Sequence, residues 1–164
     1  MVAESKFFDI LKVLVRHGVE FIVVGGVASI LEGAPVSTFD LDVMVRPTPE
    51  DRDRLLSALR QLNARYLDPA GRHLLPDATK LATLRLHRFL TDSGPLDVLE
   101  TIGAGLTYSD VVGDSHLYDV EGDPVRVLGL ATIIRSKEEA NRDKDRATLP
   151  VLRRTLALKA EEQK

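Results

Sequence analysis

The sequence predicts an α+β fold, a mixed β-sheet with helices packed mainly on one side. Three observations predict it. Apolar residues recur at helical spacing in some stretches and alternate at strand spacing in others. The elements read as helix, strand, helix, strand, helix, then antiparallel strands, then two helices. A turn rich in Asp, Ser, Gly and Pro, Thr91-Asp92-Ser93-Gly94-Pro95, separates the two strands after the third helix.

Each element has its own reason. Phe7, Ile10, Leu11, Leu14 and Val15 form one helical stripe, and His17-Gly18 reads as that helix's C-terminus. A buried apolar strand follows at 20–24, then a short helix at 26–32, then a strand at 40–46. Thr48 suits an N-cap and Pro49 the first helical position, so a helix is expected from there to about Asn63, with Leu55, Leu56, Leu59 and Leu62 inward. Residues 68–80, with Pro69, Gly71, Pro76 and Asp77, read as a loop. Strands are expected at 81–90 and 94–100, and again at 116–120 and 124–128 around Glu121-Gly122-Asp123. The Gly-rich segment 103–115 is placed at the border of a site. Two helices end the chain from about residue 129, with Pro150 at a bend or break and the tail 160–164 frayed. One domain over residues 1–164 is expected, without internal repeats.

The chemistry gathers at two carboxylates. In Asp40-Leu41-Asp42-Val43-Met44-Val45, side chains at i and i+2 share a strand face, so Asp40 and Asp42 stand side by side opposite Leu41, Val43 and Val45. The two charges repel, and a divalent cation relieves the repulsion; Mg²⁺ is commonly held by one or two carboxylates plus substrate phosphates. Asp97 is a third acid inside a later strand, with Leu96 and Val98 on the other face. If the two strands adjoin, three carboxylates converge in a set able to hold two metal ions. Upstream, an apolar strand runs into Gly25-Gly26 and a helix, where backbone can approach a ligand closely and free N–H groups suit a phosphate. Lys137 continues the inward stripe of Leu130, Ile133 and Ile134, so its charge needs a carboxylate or a nucleotide phosphate. Each feature also has a plainer reading: a solvated acidic pair, a tight turn, a lysine stem snorkelling to water.

Bulk properties bound the rest. With 44% apolar and 29% charged residues the composition is that of a soluble globular protein, and about 70% of the unfolded chain's surface becomes buried at this size. No apolar run reaches the ~18 residues a membrane span needs. There is no signal-peptide pattern and there are no cysteines, which is compatible with a cytoplasmic protein and excludes thiolate metal sites. The four histidines have no metal-ligand spacing, and a net charge of −3 argues against strong nonspecific nucleic-acid binding. From Arg135 to Arg154, however, seven Lys or Arg outnumber four Asp or Glu, which suits a phosphate-bearing substrate or a solvated helix face.

Together, Gly25-Gly26, Asp40/Asp42, Asp97 and the tail Lys137…Arg142-Asp143-Lys144-Asp145 resemble the polymerase-beta-type nucleotidyltransferase superfamily. The likeness is to its small minimal, toxin-antitoxin and abortive-infection-like members, over roughly residues 5–155. It implies transfer of a nucleoside monophosphate from a nucleoside triphosphate to a hydroxyl of an RNA, a protein or a small molecule, with two Mg²⁺ ions. It implies that Asp40 and Asp42 bind both metals. Asp97 shares the one that activates the acceptor and serves as base. Gly25, Gly26 and Ser29 hold the triphosphate, and Lys137 neutralises phosphate charge. A toxin-antitoxin partner protein is a further implication. Two departures stand out: Gly26 occupies a position where many members have Ser, and Ala34-Pro35-Val36 stand where many have an Arg. A second reading is a nucleotide-binding or partner-binding member without turnover.

Overall fold

The computed structural model describes residues 2–163, with side chains from Lys6 onward; Met1 and Lys164, the outermost residues of the expected start and tail, lie outside them. The elements are α1 (Val2–Arg16), β1 (Phe21–Val24), α2 (Gly25–Leu31), β2 (Leu41–Val45), α3 (Pro49–Gln61), β3 (Arg65–Tyr66) and α4 (Ala78–Thr83). Then come β4 (Leu86–Thr91), β5 (Gly94–Leu99), β6 (Thr101–Ile102), β7 (Leu106–Thr107), α5 (Tyr108–Val111) and a 3₁₀ turn at Val112–Asp114. The chain closes with β8 (Ser115–Val120), β9 (Asp123–Leu128), α6 (Leu130–Ala140) and α7 (Asp143–Glu162).

The sheet is mixed and seven-stranded, in the order β3-β4-β5-β2-β1-β9-β8, so the α+β expectation holds. β1 lies between antiparallel β2 and parallel β9, and all four of its residues are buried, as suits a strand covered on both faces. β2 runs parallel to β5, and β4 antiparallel to β5. This register sorts the side chains. Leu41, Val43, Leu96, Val98 and Phe89 share one face and are all buried in the core with Ile10, Leu14, Leu55 and Leu59. Asp42, Asp97 and Arg88 share the other face.

Several boundaries differ from the sequence reading. Residues 78–83 form α4, inside the expected loop and strand, because Asp77 caps it: its carboxylate accepts a bond from the Lys80 N–H at 2.8 Å. The strand therefore starts at Leu86, not at 81. Met44, expected on the polar face of its strand with the two acids, is fully buried, so that face turns apolar one strand step beyond Asp42. Pro150 does not break the final helix. α7 runs unbroken through it to Glu162, held by burial of Leu149 and Leu152 on either side, and this also orders residues 160–162 of the tail. β3 went unread because two residues carry no periodicity. The α3 start stands as expected: the Asp51 N–H donates to the Thr48 hydroxyl at 3.1 Å, behind Pro49. Asp51 is itself buried and accepts from the Glu20 N–H, Arg46 and Thr48. Burial alone would raise its pKa, but these bonds hold it below the usual carboxylate range. No helix among the described residues is long and apolar enough to cross a membrane.

Candidate active site

The two sequence motifs meet at one end of the sheet. β1 and β2 pair antiparallel with Val24 opposite Asp42, so the β1–α2 turn and the first residues of β2 come together there. Gly25 takes φ +66°, and a Cβ built on it would lie 2.3 Å from Asp42 Oδ2. Both the backbone and the space thus demand glycine. A Cβ on Gly26 would lie 2.6 Å from the Thr38 Cβ and Oγ1. The Thr38 side chain therefore fills the space that a side chain at 26 would need, and a hydroxyl group, absent from position 26, stands beside the turn after all. The Thr38 hydroxyl donates to the Asp40 carbonyl at 3.2 Å.

Parallel pairing sets Asp42 directly beside Asp97. Burial, then the neighbouring Asp97 and Asp40 charges, push the Asp42 pKa up to about 7, against weaker opposite pulls from Lys144 and Lys137. Burial and then Asp40 raise that of Asp97 as well. Among the described residues, no side chain hydrogen-bonds to or forms an ion pair with the carboxylate of Asp40 or Asp42. Asp97 has only Arg88, at 3.9 Å.

The carboxylates form one wall of a cleft of about 650 Å³. The far wall comes from α6 and α7: Lys137, Arg142, Lys144 and Thr148, with Ile133 and Leu152 at the base. Asn141, at φ 50°, ends α6 and turns the chain into α7. The hinge is locked by Asp145, whose side chain is wholly buried. It accepts from the Arg142 backbone N–H (3.1 Å), Nε (2.8 Å) and Nη2 (3.2 Å), with Lys137 Nζ at 3.5 Å. Burial would raise the Asp145 pKa, and the Arg142 bonds hold it low. Lys137 points inward as its spacing required, with a carboxylate as its partner, while its side chain still borders the cleft.

Ser29 lies at the cleft, with its hydroxyl engaged within α2. It is buried, and its hydroxyl donates to the Gly25 carbonyl at 3.0 Å, so that proton is already engaged. α2 is only seven residues long, so its N–H groups are few. Gly103 does border the cleft, with Thr101 and Ile102. The sequence missed Thr38, which carries no motif, and Arg88, whose place opposite Asp97 depends on strand register. Lys144 was visible within the tail but nothing in the sequence aimed it at the carboxylates.

As placed, no three His, Asp or Glu side chains among the described residues close on one point at which a metal ion could be held. The donor chemistry nonetheless fits a hard divalent cation. Three carboxylates face one cleft, the charges of Asp97 and Asp40 add to burial in raising the Asp42 pKa, and the cations opposite them do not hydrogen-bond to them.

No family model matches the sequence, and no curated protein matches it. Solved structures do. The antibiotic-resistance factor ANT(2'')-Ia aligns over 95% of this chain and 86% of its own at TM-score 0.59 and 16% identity. Its complex with adenylyl-2''-tobramycin aligns over 93% and 88% at TM-score 0.57 and 16% identity. The lincosamide antibiotic adenylyltransferase LnuA, bound to lincomycin, aligns over 92% and 96% at TM-score 0.59 and 12% identity. The chain shares the fold of these structures.

Proposed function

We propose that this protein is a divalent-metal-dependent nucleotidyltransferase that moves a nucleoside monophosphate from a nucleoside triphosphate to an acceptor hydroxyl. The observation that carries the reading is the in-register pair Asp42 and Asp97 at the Gly25 turn, inside a nucleotidyltransferase fold. Asp40, Asp42 and Asp97 would hold Mg²⁺, which supplies charge neutralisation at the phosphates and lowers the pKa of the attacking hydroxyl. The Gly25-Gly26 turn would offer its backbone to the triphosphate, and Lys137, Arg142 and Lys144 face it from the other wall. The acceptor oxygen attacks the α-phosphorus, the bond to the β-phosphate oxygen breaks, and pyrophosphate leaves. Asp97 takes the hydroxyl proton, and burial suits it to the task by raising its proton affinity. RNA, protein and small-molecule hydroxyls are the acceptor classes in question; of the fold neighbours named above, one is bound to lincomycin and another to adenylyl-2''-tobramycin.

The test pairs binding with turnover. Each of the four nucleoside triphosphates, labelled at the α-phosphate, is offered with and without Mg²⁺ to wild type and Asp42→Asn. Metal-dependent stabilisation and label transfer that both vanish in the variant support the reading; transfer at an unchanged rate in Asp42→Asn refutes it. A member that binds nucleotide without turnover is the second reading. It is favoured by the committed Ser29 hydroxyl and by carboxylates that do not close on one point. It predicts stabilisation without label transfer.

A further inference from the structure

The acceptor's side of the cleft has a charge of its own. Beyond Asp97 the sheet continues through β4 to the short edge strand β3. Register puts Arg88 opposite Asp97, and the backbone bond from the Leu67 N–H to the Arg88 carbonyl carries the same face onto Leu67. Leu86, two residues from Arg88, shares that face, and Arg65 joins it opposite Leu90. Leu67 and Leu86 are 53% and 45% exposed, and the Arg88 side chain is 59% exposed.

Arg88 stands 3.9 Å from Asp97, beyond hydrogen-bond reach, so among the described residues its N–H donors are uncommitted. Arg65 likewise forms no side-chain hydrogen bond or ion pair among them. Asp68, just past Leu67, is neutralised by Arg72 at 2.9 Å. Apart from Asp40, Asp42 and Asp97, no acidic side chain among the described residues lines the cleft. If those three are occupied in holding metal, nothing remains to bind a polycation, while a guanidinium fork waits next to the acceptor position.

We propose that the acceptor is an organic anion: a hydroxyl compound with a phosphate or carboxylate near the reacting hydroxyl, its anionic group held by Arg88 and its apolar part against Leu67 and Leu86. This rests on the transferase reading and narrows it away from polycationic acceptors. The step itself is unchanged: the acceptor oxygen bonds to the α-phosphorus, pyrophosphate leaves and the hydroxyl proton passes to Asp97. Arg88 is a specificity residue here, selecting which molecule brings its hydroxyl to that point.

The test is equilibrium binding to the full chain with Mg²⁺ and a non-hydrolysable nucleoside triphosphate analogue. The probes are ribose 5-phosphate, a short oligoribonucleotide and tobramycin, which separate a free phosphate, a nucleic-acid end and a polycation. Wild type is expected to bind at least one anionic probe tenfold or more tightly than tobramycin, weakening with salt. Arg88→Glu should invert that preference, and Arg88→Lys should keep its direction. The better of the two anions names the source. A tighter tobramycin complex, no binding of either anion, or a ratio unmoved by Arg88→Glu overturns the inference. The analogue's own binding is read in the same titrations. If it binds with Mg²⁺ and the anions do not, only the acceptor inference falls. If it fails to bind, the transferase reading falls and the inference with it.

Discussion

Replacing Asp42 by Asn should make the metal-free protein more stable at alkaline pH, although it removes a side chain proposed to be essential. A carboxyl whose pKa rises from 3.8 to about 7 on folding binds its proton more tightly in the native chain than in the unfolded one. Its effect on stability is therefore most favourable below about pH 4 and is lost as pH climbs through about 7. Between those limits the loss is about 4 kcal/mol at about 1.4 kcal/mol per pH unit. Water and counter-ions at the open mouth of the cleft screen part of it, which leaves about 1–3 kcal/mol. Asn has the same shape, fits beside Gly25 and carries no charge to repel Asp97 and Asp40. Urea or thermal unfolding of both proteins in EDTA at pH 8.5 and pH 4.5 measures the effect. The variant should lead at pH 8.5 by about 3–10 °C for a chain of this size, and the gap should shrink at pH 4.5. Added Mg²⁺ should narrow the gap at pH 8.5 by stabilising wild type alone. A variant equal to or weaker than wild type at pH 8.5 in EDTA would refute the account of the cleft as a store of unrelieved charge.

Other perturbations follow from the same geometry. Gly25→Ala meets both a left-handed φ and Asp42 Oδ2, and should destabilise by about 2 kcal/mol or more and abolish metal-dependent nucleotide binding, as unfolding and thermal-shift curves would show. Gly26→Ser alone should destabilise because Thr38 occupies its space; combined with Thr38→Gly it should recover at least half the loss, a coupling that a double-mutant cycle reads directly. Asp145→Ala removes the acceptor for Arg142 and Lys137 and should cost about 1–3 kcal/mol in urea unfolding, since both cations can reach water. Thr48→Ala should cost about 1 kcal/mol through loss of the α3 cap.

The parts of the site legible in the sequence are those whose chemistry is local. Asp40 and Asp42 share a face by the two-residue period of a strand, and Gly25 is fixed by a turn that only glycine takes with Asp42 behind it. Lys137 showed its inward direction through helical spacing, though not that its partner would be Asp145, eight residues on, because the Asn141 turn that folds α7 back has no strong signature. What strand order decides was not legible: β5 beside β2, Arg88 opposite Asp97, Thr38 in the space of a residue-26 side chain. Asp77 was read as a loop residue, yet as an N-cap it converts the first residues of a presumed strand into helix.

The two walls of the cleft are stabilised in opposite ways, and that difference is what leaves room for a ligand. On the helical wall, Arg142 and Lys137 are satisfied by a buried Asp145 that does not need the sheet, so the cations are held in place before anything binds. On the sheet wall, Asp42 is surrounded by like charge and takes no hydrogen bond from the cations opposite, so its raised pKa records a cost that folding alone does not offset. Had Lys144 or Lys137 closed onto Asp42, the apo protein would be more stable and the cleft would be filled by its own side chains. Keeping the pairs apart makes the site favour a species that is positive toward the sheet and negative toward the helices. A metal-bound triphosphate has that polarity.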